Sequence, residues 1–419
     1  MPDMVQTVRG MRDIFGPEMA AWHLAERVFR DCSQAYGYEE FRTPVLEHTE
    51  LFARGIGADT DIVGKEMYTF EDRSGDSLTM RPEMTASVVR AAIEHSLLRH
   101  SPVTRLWYAA PIFRHERPQK GRYRQFHQYG AECLGSPYPE SDVEIILLAH
   151  DVIKAIGITQ WRLEINTLGT AESRAAYRAA LVDYFERHVE RLSDDSRRRL
   201  QTNPLRILDS KEEADKEIVA HAPRLHDHLD EASRVHFAAV RSMLDAAQVD
   251  YVVNPVMVRG LDYYCHTVFE FVTDALGTQN AIGGGGRYDP LFAMLGGGDV
   301  PAVGFSLGVE RILLLLEQEN GGWPAGDATD AYICAIGDAA RLPVQLIATR
   351  LRRKGMAVTT DVLRRSIKAQ MKDANRADAV WTITIGDDEL ANGTCVIKHM
   401  ATGEQQTVPQ QTIEEHLRR

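Results

Sequence analysis

Five cations, Arg114, Arg117, Lys120, Arg122 and Arg124, crowd the middle of residues 112–132, IFRHERPQKGRYRQFHQYGAE. The runs on either side alternate like strands, which predicts a hairpin whose tip is cationic and suited to a polyphosphate. Successive strand side chains point to opposite faces, so Phe126, Gln128, Gly130 and Glu132 share one face, as do Ile112, Arg114 and Glu116. A face that mixes an aromatic ring with a carboxamide and a carboxylate suits a pocket floor better than a packing surface. The alternative is a solvated hairpin whose charges keep a sheet edge from aggregating.

Other chemistry-bearing residues are scattered along the chain. In residues 78–90, LTMRPEMTASVVR, a strand ends at Arg81-Pro82; Glu83 and Thr85 then stand at a helix entry, where they either cap the helix or grip a ligand's ammonium group. The segment NPVMVRGLDYYCHTVFEFVT places Arg259, Asp262, Tyr263, Tyr264 and His266 in an otherwise apolar run. An arginine there needs an anionic partner, either Asp262 or a ligand phosphate. Four glycines at 283–286 precede Arg287, Tyr288 and Asp289, so backbone closely approaches a ligand or another strand. Neither this run nor residues 57–66, GADTDIVGKE, completes a nucleotide-binding fingerprint. Tyr288 replaces the third glycine of one, and Asp59 and Glu66 replace the first glycine and the hydroxyl of the other.

Spacing also indicates the helices and strands that carry these residues. Pro17 suits the first turn of a helix in which Ala21, Ala25, Val28, Phe29, Cys32 and Tyr36 recur at helical intervals, and Gly37 stops it. Pro44 interrupts the extended run GYEEFRTPVLE and puts it at a sheet edge or an interface. Dense charge and helical spacing at Tyr177, Leu181, Tyr184, Phe185 and Val189, and again at Phe237, Val240 and Leu244, mark residues 171–250 as a helical insertion between strands. PAVGFSLGVERILLLLE reads as a strand running into a helix that buries Val309, Ile312, Leu313 and Leu316. Glu310 and Arg311 lie off that stripe, and the arginine can turn back toward the sheet. GGWPAGDATD is a linker by its Gly, Pro and Asp content. Beyond it strands alternate with helices, the signature of a small α/β domain. Its helices carry Arg350, Arg352, Arg353, Lys354, Arg364, Arg365, Lys368, Lys372 and Arg376. That is a solvated face or, beside a phosphate-handling domain, an RNA-binding one.

At 419 residues the chain is long enough for two or three domains of ~150 residues each. Lys+Arg 48 against Asp+Glu 60 leaves −12, so any nucleic-acid contact must be local. Cys32, Cys133, Cys265, Cys334 and Cys395 are far apart, with no CxxC pair. Neither a disulfide framework nor a zinc site is expected, and a reducing compartment fits. No leader-like or bilayer-length apolar run stands out, so a cytoplasmic protein away from membranes is expected.

Taken in order, the blocks resemble a known family. GYEEFRTPVLE is similar to the dimer-interface motif of class II aminoacyl-tRNA synthetases, FRHERPQKGRYRQFHQYGAE to their second motif and VGFSLGVERILLLLE to their third. RGLDYYCHTVFEF and GGGGRYD resemble the two blocks peculiar to the histidine enzymes, so the chain looks like a histidyl-tRNA synthetase over essentially its whole length. The resemblance implies an α+β fold and a homodimer. It places an antiparallel six-stranded catalytic sheet flanked by helices in residues 1–325, a helical insertion at 171–250, and a C-terminal α/β anticodon-binding domain at 330–419.

The resemblance also implies roles. Arg114 would hold the α-phosphate of ATP, with Arg122 on the phosphates and Glu116 near the adenine amino group. Phe126 would stack on the base, and Arg311 would cover its other face and reach the γ-phosphate. Glu83, Thr85 and Gln128 would bind the ammonium group of histidine, Glu132 and Tyr264 its imidazole nitrogens, with Tyr263 and Tyr288 lining the pocket. Arg259 would neutralise the α-phosphate during attack, and Gln119 and Lys120 would help position the terminal ribose of tRNA(His). Mg2+ would be held mainly through ATP, with no metal bound by the protein alone. Met84 stands where the family usually has glycine, which bears on the backbone around Glu83 and Thr85.

The implied reaction is ATP-dependent ligation of L-histidine to tRNA(His) through histidyl-adenylate, releasing AMP and pyrophosphate. Attack by a carboxylate on an anionic phosphorus calls for positive charge more than for a base. On the resemblance, Arg114 and Arg259 would supply it. Two other readings compete: a synthetase-like regulatory subunit of the ATP phosphoribosyltransferase of histidine biosynthesis, and a nonenzymatic RNA-binding module. Such regulatory subunits typically lack the C-terminal domain and erode the histidine-specific block that carries Arg259, and an RNA-binding module has no need of the full set of phosphate arginines. This chain keeps all of these.

Overall fold

Alternating apolar residues make the central hairpin. Strands Thr104–Phe113 and Gln125–Leu134 pair antiparallel, with Ile112 opposite Phe126, Ala110 opposite Gln128 and Leu106 opposite Glu132. The first strand ends at Phe113, short of Arg114 and Glu116, which the alternation had placed on it. Arg114 still donates its N–H to the Arg124 carbonyl, but the Glu116 N–H turns back onto the Arg114 carbonyl, so both side chains leave from a loop.

The computed structural model describes residues 4–417, apart from 58, 59, 61, 209, 211, 258–262, 278, 279 and 327. Arg259 and Asp262 therefore lie outside the described residues, as does Asp59. The chain divides into two compact units, Met1–Pro324 and Ala325–Arg419.

In the first unit the hairpin sits in an eight-stranded sheet. Its order is Glu39–Glu40, Thr104–Phe113, Gln125–Leu134, Ala302–Gly308, Ala281–Arg287, Cys265–Val272, Arg162–Thr167, Tyr251–Val253. The six inner strands are antiparallel, as expected, and a short parallel strand is added at each edge. Pro44 falls in the loop just after one of those edge strands.

Helices Glu18–Ala35, Pro139–Ile156, Glu231–Ala246 and Val309–Asn320 share one core with the sheet, built from residues such as Phe29, Tyr129, Ile146, Phe269 and Ile312. Pro17 and Gly37, the latter at φ 75°, bound the first of them. A second core, with Tyr108, Ile112, Leu134 and Val268, meets helix Thr85–Glu94 through Met84 and Val88. Because strand residues alternate, this second core lies on the face that also carries Phe126 and Gln128.

The segment read from sequence as one helical block is shared between two cores. Tyr177, Leu181 and Phe185 join Leu200, Ile218 and Leu225 in a core of their own. Phe237, Val240 and Leu244, by contrast, pack into the main core.

The second unit is a five-stranded sheet in the order Val358–Thr360, Ala331–Ala335, Trp381–Ile385, Thr394–His399, Gln405–Pro409, of which the first three are parallel. Part of its basic character is spent locally: Arg365 pairs with Asp361 and Asp373, and Arg350 and Lys354 share Glu414. Arg353, Arg364, Lys368 and Lys372 are exposed. Among the described residues no helix is long and apolar enough to cross a membrane.

Candidate active site

The Phe126 face of the sheet opens into a cavity of about 320 Å³. Residues distant in sequence line it: Glu83 and Thr85 from a helix entry, Arg114, Glu116, Arg122, Phe126 and Gln128 from the hairpin, Tyr263, Tyr264 and Tyr288, and Arg311.

The arginines are held rather than loose. Arg114 donates through Nε to the Pro82 carbonyl at 2.7 Å, and its guanidinium lies 5.5 Å over the Phe126 ring. Arg122 pairs with Glu116. Arg311 turns back from its helix to donate to the carbonyls of Ala281 and, at 3.4 Å, Gly121. Burial, and then the charges of Arg122 and Arg114, lower Arg311 below the ordinary guanidinium range. Burial also lowers Arg122, with Glu66 opposing and Arg114 adding to the effect. Guanidiniums that disfavour one another's charge form a site whose strain a polyanion relieves. The hairpin's other cations do not join them. Arg124 donates to the Glu116 carbonyl and ties down the N-terminal segment, its N–H on the Gly10 carbonyl. Arg117, Gln119 and Lys120 are exposed in the loop, off the cavity wall.

Glu83 does cap its helix, accepting the N–H of Thr85 at 2.7 Å and of Ala86 at 2.9 Å, while still lining the cavity. Burial raises its pKa and those N–H donors oppose the rise. Met84, at φ −102° and ψ −30°, sits in a conformation open to any residue, so its side chain costs no backbone strain. The Gln128 Oε1 atom is buried and has no hydrogen-bond partner among the described residues, an acceptor awaiting a donor.

Glu132 is fully buried and lies behind the wall rather than on it. It accepts from Tyr288 Oη at 2.6 Å, Thr85 Oγ1 at 2.9 Å and Tyr108 Oη at 3.2 Å. Those donors favour the anion, but burial outweighs them and pushes Glu132 up to about 8. Burial also raises Tyr108, Tyr263 and Tyr288 well above the ordinary phenol range, so all three stay protonated.

Sequence reasoning missed several partners. Tyr108 is one; its only local signal is that it faces Gly130 across the hairpin. A Cβ on Gly130 would stand 2.5 Å from the Tyr108 hydroxyl, and one on Gly304 would stand 1.6 Å from Glu132 Oε2. The two glycines are the space in which this network sits. Glu310, placed off its helix's buried stripe, is in fact buried, accepting the His127 N–H and pairing with the His127 ring at 2.8 Å. The glycine run serves both readings given for it. Gly283 and Gly284 line the cavity, and Cβ atoms on Gly283 and Gly285 would meet the Ser306 and Gly304 carbonyls at 2.3 and 2.0 Å.

A family model of histidyl-tRNA synthetase matches residues 10–312, and one of an anticodon binding domain matches residues 330–419. A histidine--tRNA ligase of Burkholderia pseudomallei (strain 668) is 49% identical over 422 residues, covering 98% of this chain and 94% of that protein. The crystal structure of apo S. aureus histidyl-tRNA synthetase superposes with a TM-score of 0.83 at 35% identity, over 99% of this chain and 100% of that one. An ATP phosphoribosyltransferase regulatory subunit/histidyl-tRNA synthetase from Bacillus halodurans C shares the fold alone, with a TM-score of 0.64 at 22% identity over 89% of this chain and 97% of that one. Matched in sequence and in fold along nearly its whole length, the chain belongs to the histidyl-tRNA synthetase family.

Proposed function

We propose that this chain ligates L-histidine to tRNA(His), forming histidyl-adenylate from ATP and then passing histidine to the terminal ribose. What carries the reading is the convergence of Arg114, Arg122 and Arg311 on one cavity with Glu83, Thr85, Gln128 and the tyrosines. In this reading the adenine stacks on Phe126 beneath Arg311, near Glu116, and Arg114 and Arg122 hold the phosphates. A carboxylate oxygen of histidine attacks the α-phosphorus in line and pyrophosphate leaves. The guanidiniums stabilise the charge, each contact contributing about 1.5–3 kcal/mol. Arg259 is assigned to the α-phosphate on its sequence block alone.

The ammonium group of histidine meets Gln128 Oε1, Glu83 and Thr85. Its ring lies among Tyr263, Tyr264 and Tyr288, and an imidazole N–H reaches Glu132 by replacing one of the hydroxyls that now occupy it. A buried acceptor that must be satisfied rejects amino acids lacking the donor by roughly 10⁴–10⁵. Three carboxylates on the wall are committed, Glu83 to helix N–H groups, Glu116 to Arg122 and Glu310 to His127, and Glu270 lines it beside them. That donor set fits a Mg2+ that would be held mainly by ATP oxygens and water and would supply charge neutralisation at the phosphates. Gln119 and Lys120, exposed in the hairpin loop, are assigned to the acceptor end of tRNA.

We assign catalysis to residues 1–325 with their helical insertion, and anticodon binding to residues 330–419. A homodimer that uses the Glu39–Glu40 sheet edge and a cytoplasmic setting complete the proposal. The regulatory-subunit reading is not favoured, because the chain keeps both matched blocks and the phosphate arginines. Amino-acid-dependent ATP–pyrophosphate exchange across all twenty amino acids tests the function. Histidine alone should drive it, and exchange with another amino acid in its place would reject the specificity.

A further inference from the structure

We infer that Arg174, a residue of the helical insertion, is a positioning residue for the amino-acid pocket. The insertion leaves the sheet after Thr167, and its entry is hydrogen-bonded to the strand that follows the pocket tyrosines. Leu168 N–H donates to the His266 carbonyl at 2.7 Å, and His266 N–H donates to the Gly169 carbonyl at 3.0 Å. His266 itself has φ 44°, a left-handed bend that a non-glycine residue holds only with outside support.

The base of the insertion is closed by Asp230. It accepts Thr170 Oγ1 at 2.6 Å, Ser173 Oγ at 2.7 Å and the Ser233 N–H at 2.7 Å, so it staples the start of helix Ala171–Glu186 to the start of helix Glu231–Ala246. In the first turn of that stapled helix, half-buried Arg174 donates through Nη1 to the Tyr264 carbonyl. The Tyr264 ring lies 4.9 Å from that of Tyr263, which lies 5.8 Å from that of Tyr288, the donor to Glu132. Arg174 thus holds the backbone from which one pocket wall hangs. Through it, the insertion's rigid base sets where that wall stands.

The inference rests on the function proposed above, and its test separates the two. Histidine-dependent exchange is measured on the full chain as wild type, Arg174→Ala, Arg174→Lys and Arg178→Ala. Losing one charge-assisted bond to the Tyr264 carbonyl raises KM for histidine about tenfold, with KM for ATP, kcat and the melting temperature nearly unchanged. Lysine at 174 recovers most of the loss. Arg178→Ala, on the next turn with its bond to Thr202 inside the insertion, changes neither KM. An unchanged histidine KM in Arg174→Ala overturns the inference while leaving the function standing. So does a parallel rise in both KM values with a lower melting temperature, which is the mark of a structural role only. A wild type without histidine-dependent exchange removes the function and the inference together.

Discussion

A carboxylate with no exposure and a pKa pushed up to about 8 keeps its proton through the neutral range unless a partner arrives. In the unfolded chain Glu132 returns to about 4.3. The folded state thus holds the extra proton, and the contribution to stability is full below about pH 4 and lost as pH rises through about 8. Glu132→Gln keeps the shape and removes the titration. Its melting temperature relative to wild type should become more favourable by about 2 °C or more from pH 5 to pH 9, and a constant difference in differential scanning calorimetry would refute the shift. The same variant should lose about 10²-fold in kcat/KM for histidine in exchange assays. Arg114→Ala should lose about 10²–10³-fold in adenylate formation, with circular dichroism showing the wild-type melt. At this scale the sequence was informative about residue type. Arg114, Gln128 and Arg311 could be picked because cations and carboxamides are poor packing residues, and Phe126 because it shares a strand face with Gln128 and Glu132. Tyr108 could not, because a tyrosine in an apolar strand reads as core until Glu132 is known to lie behind it.

Among the elements, the strand Ala302–Gly308 shows how tightly the site is bounded. An alanine at Gly304 must push against Glu132 Oε2, which already accepts from Tyr288, while Oε1 of the same carboxyl accepts from Thr85 and Tyr108. Gly304→Ala should lower stability in urea by about 1–3 kcal/mol and raise KM for histidine more than KM for ATP; an unchanged unfolding midpoint would mean that the strand simply moves aside. The hairpin, the Pro17 helix and the strand-to-helix passage into Arg311 were legible because period and punctuation agreed over many residues. Two features were not. The end of the strand at Phe113 is set by backbone bonding of Arg114 and Glu116, which leaves no mark in alternation. The division of the insertion's helices between two cores depends on which neighbour each stripe meets, and stripes at Tyr177 and Phe237 look alike.

At the scale of the molecule, the chain forms two compact units with separate cores, the units to which catalysis and anticodon binding are assigned in the proposal above. A chain ending at Pro324 should retain histidine-dependent exchange, while its rate of tRNA charging falls by about 10²-fold or more as the second contact with the nucleic acid is lost. Equal loss of both activities in filter-binding and exchange assays would place the second unit in the stability of the first. The net charge of −12 makes such a division useful, because the chain as a whole repels a polyanion while exposed cations such as Arg353, Arg364, Lys368 and Lys372 invite one locally.

The glycine-paved floor, with no room for a Cβ at Gly283 or Gly285, also bears on redesign. Side chains cannot be added there without driving two strands apart, so a library meant to admit a noncanonical amino acid should vary the Tyr263, Tyr264 and Gln128 walls and leave the floor untouched.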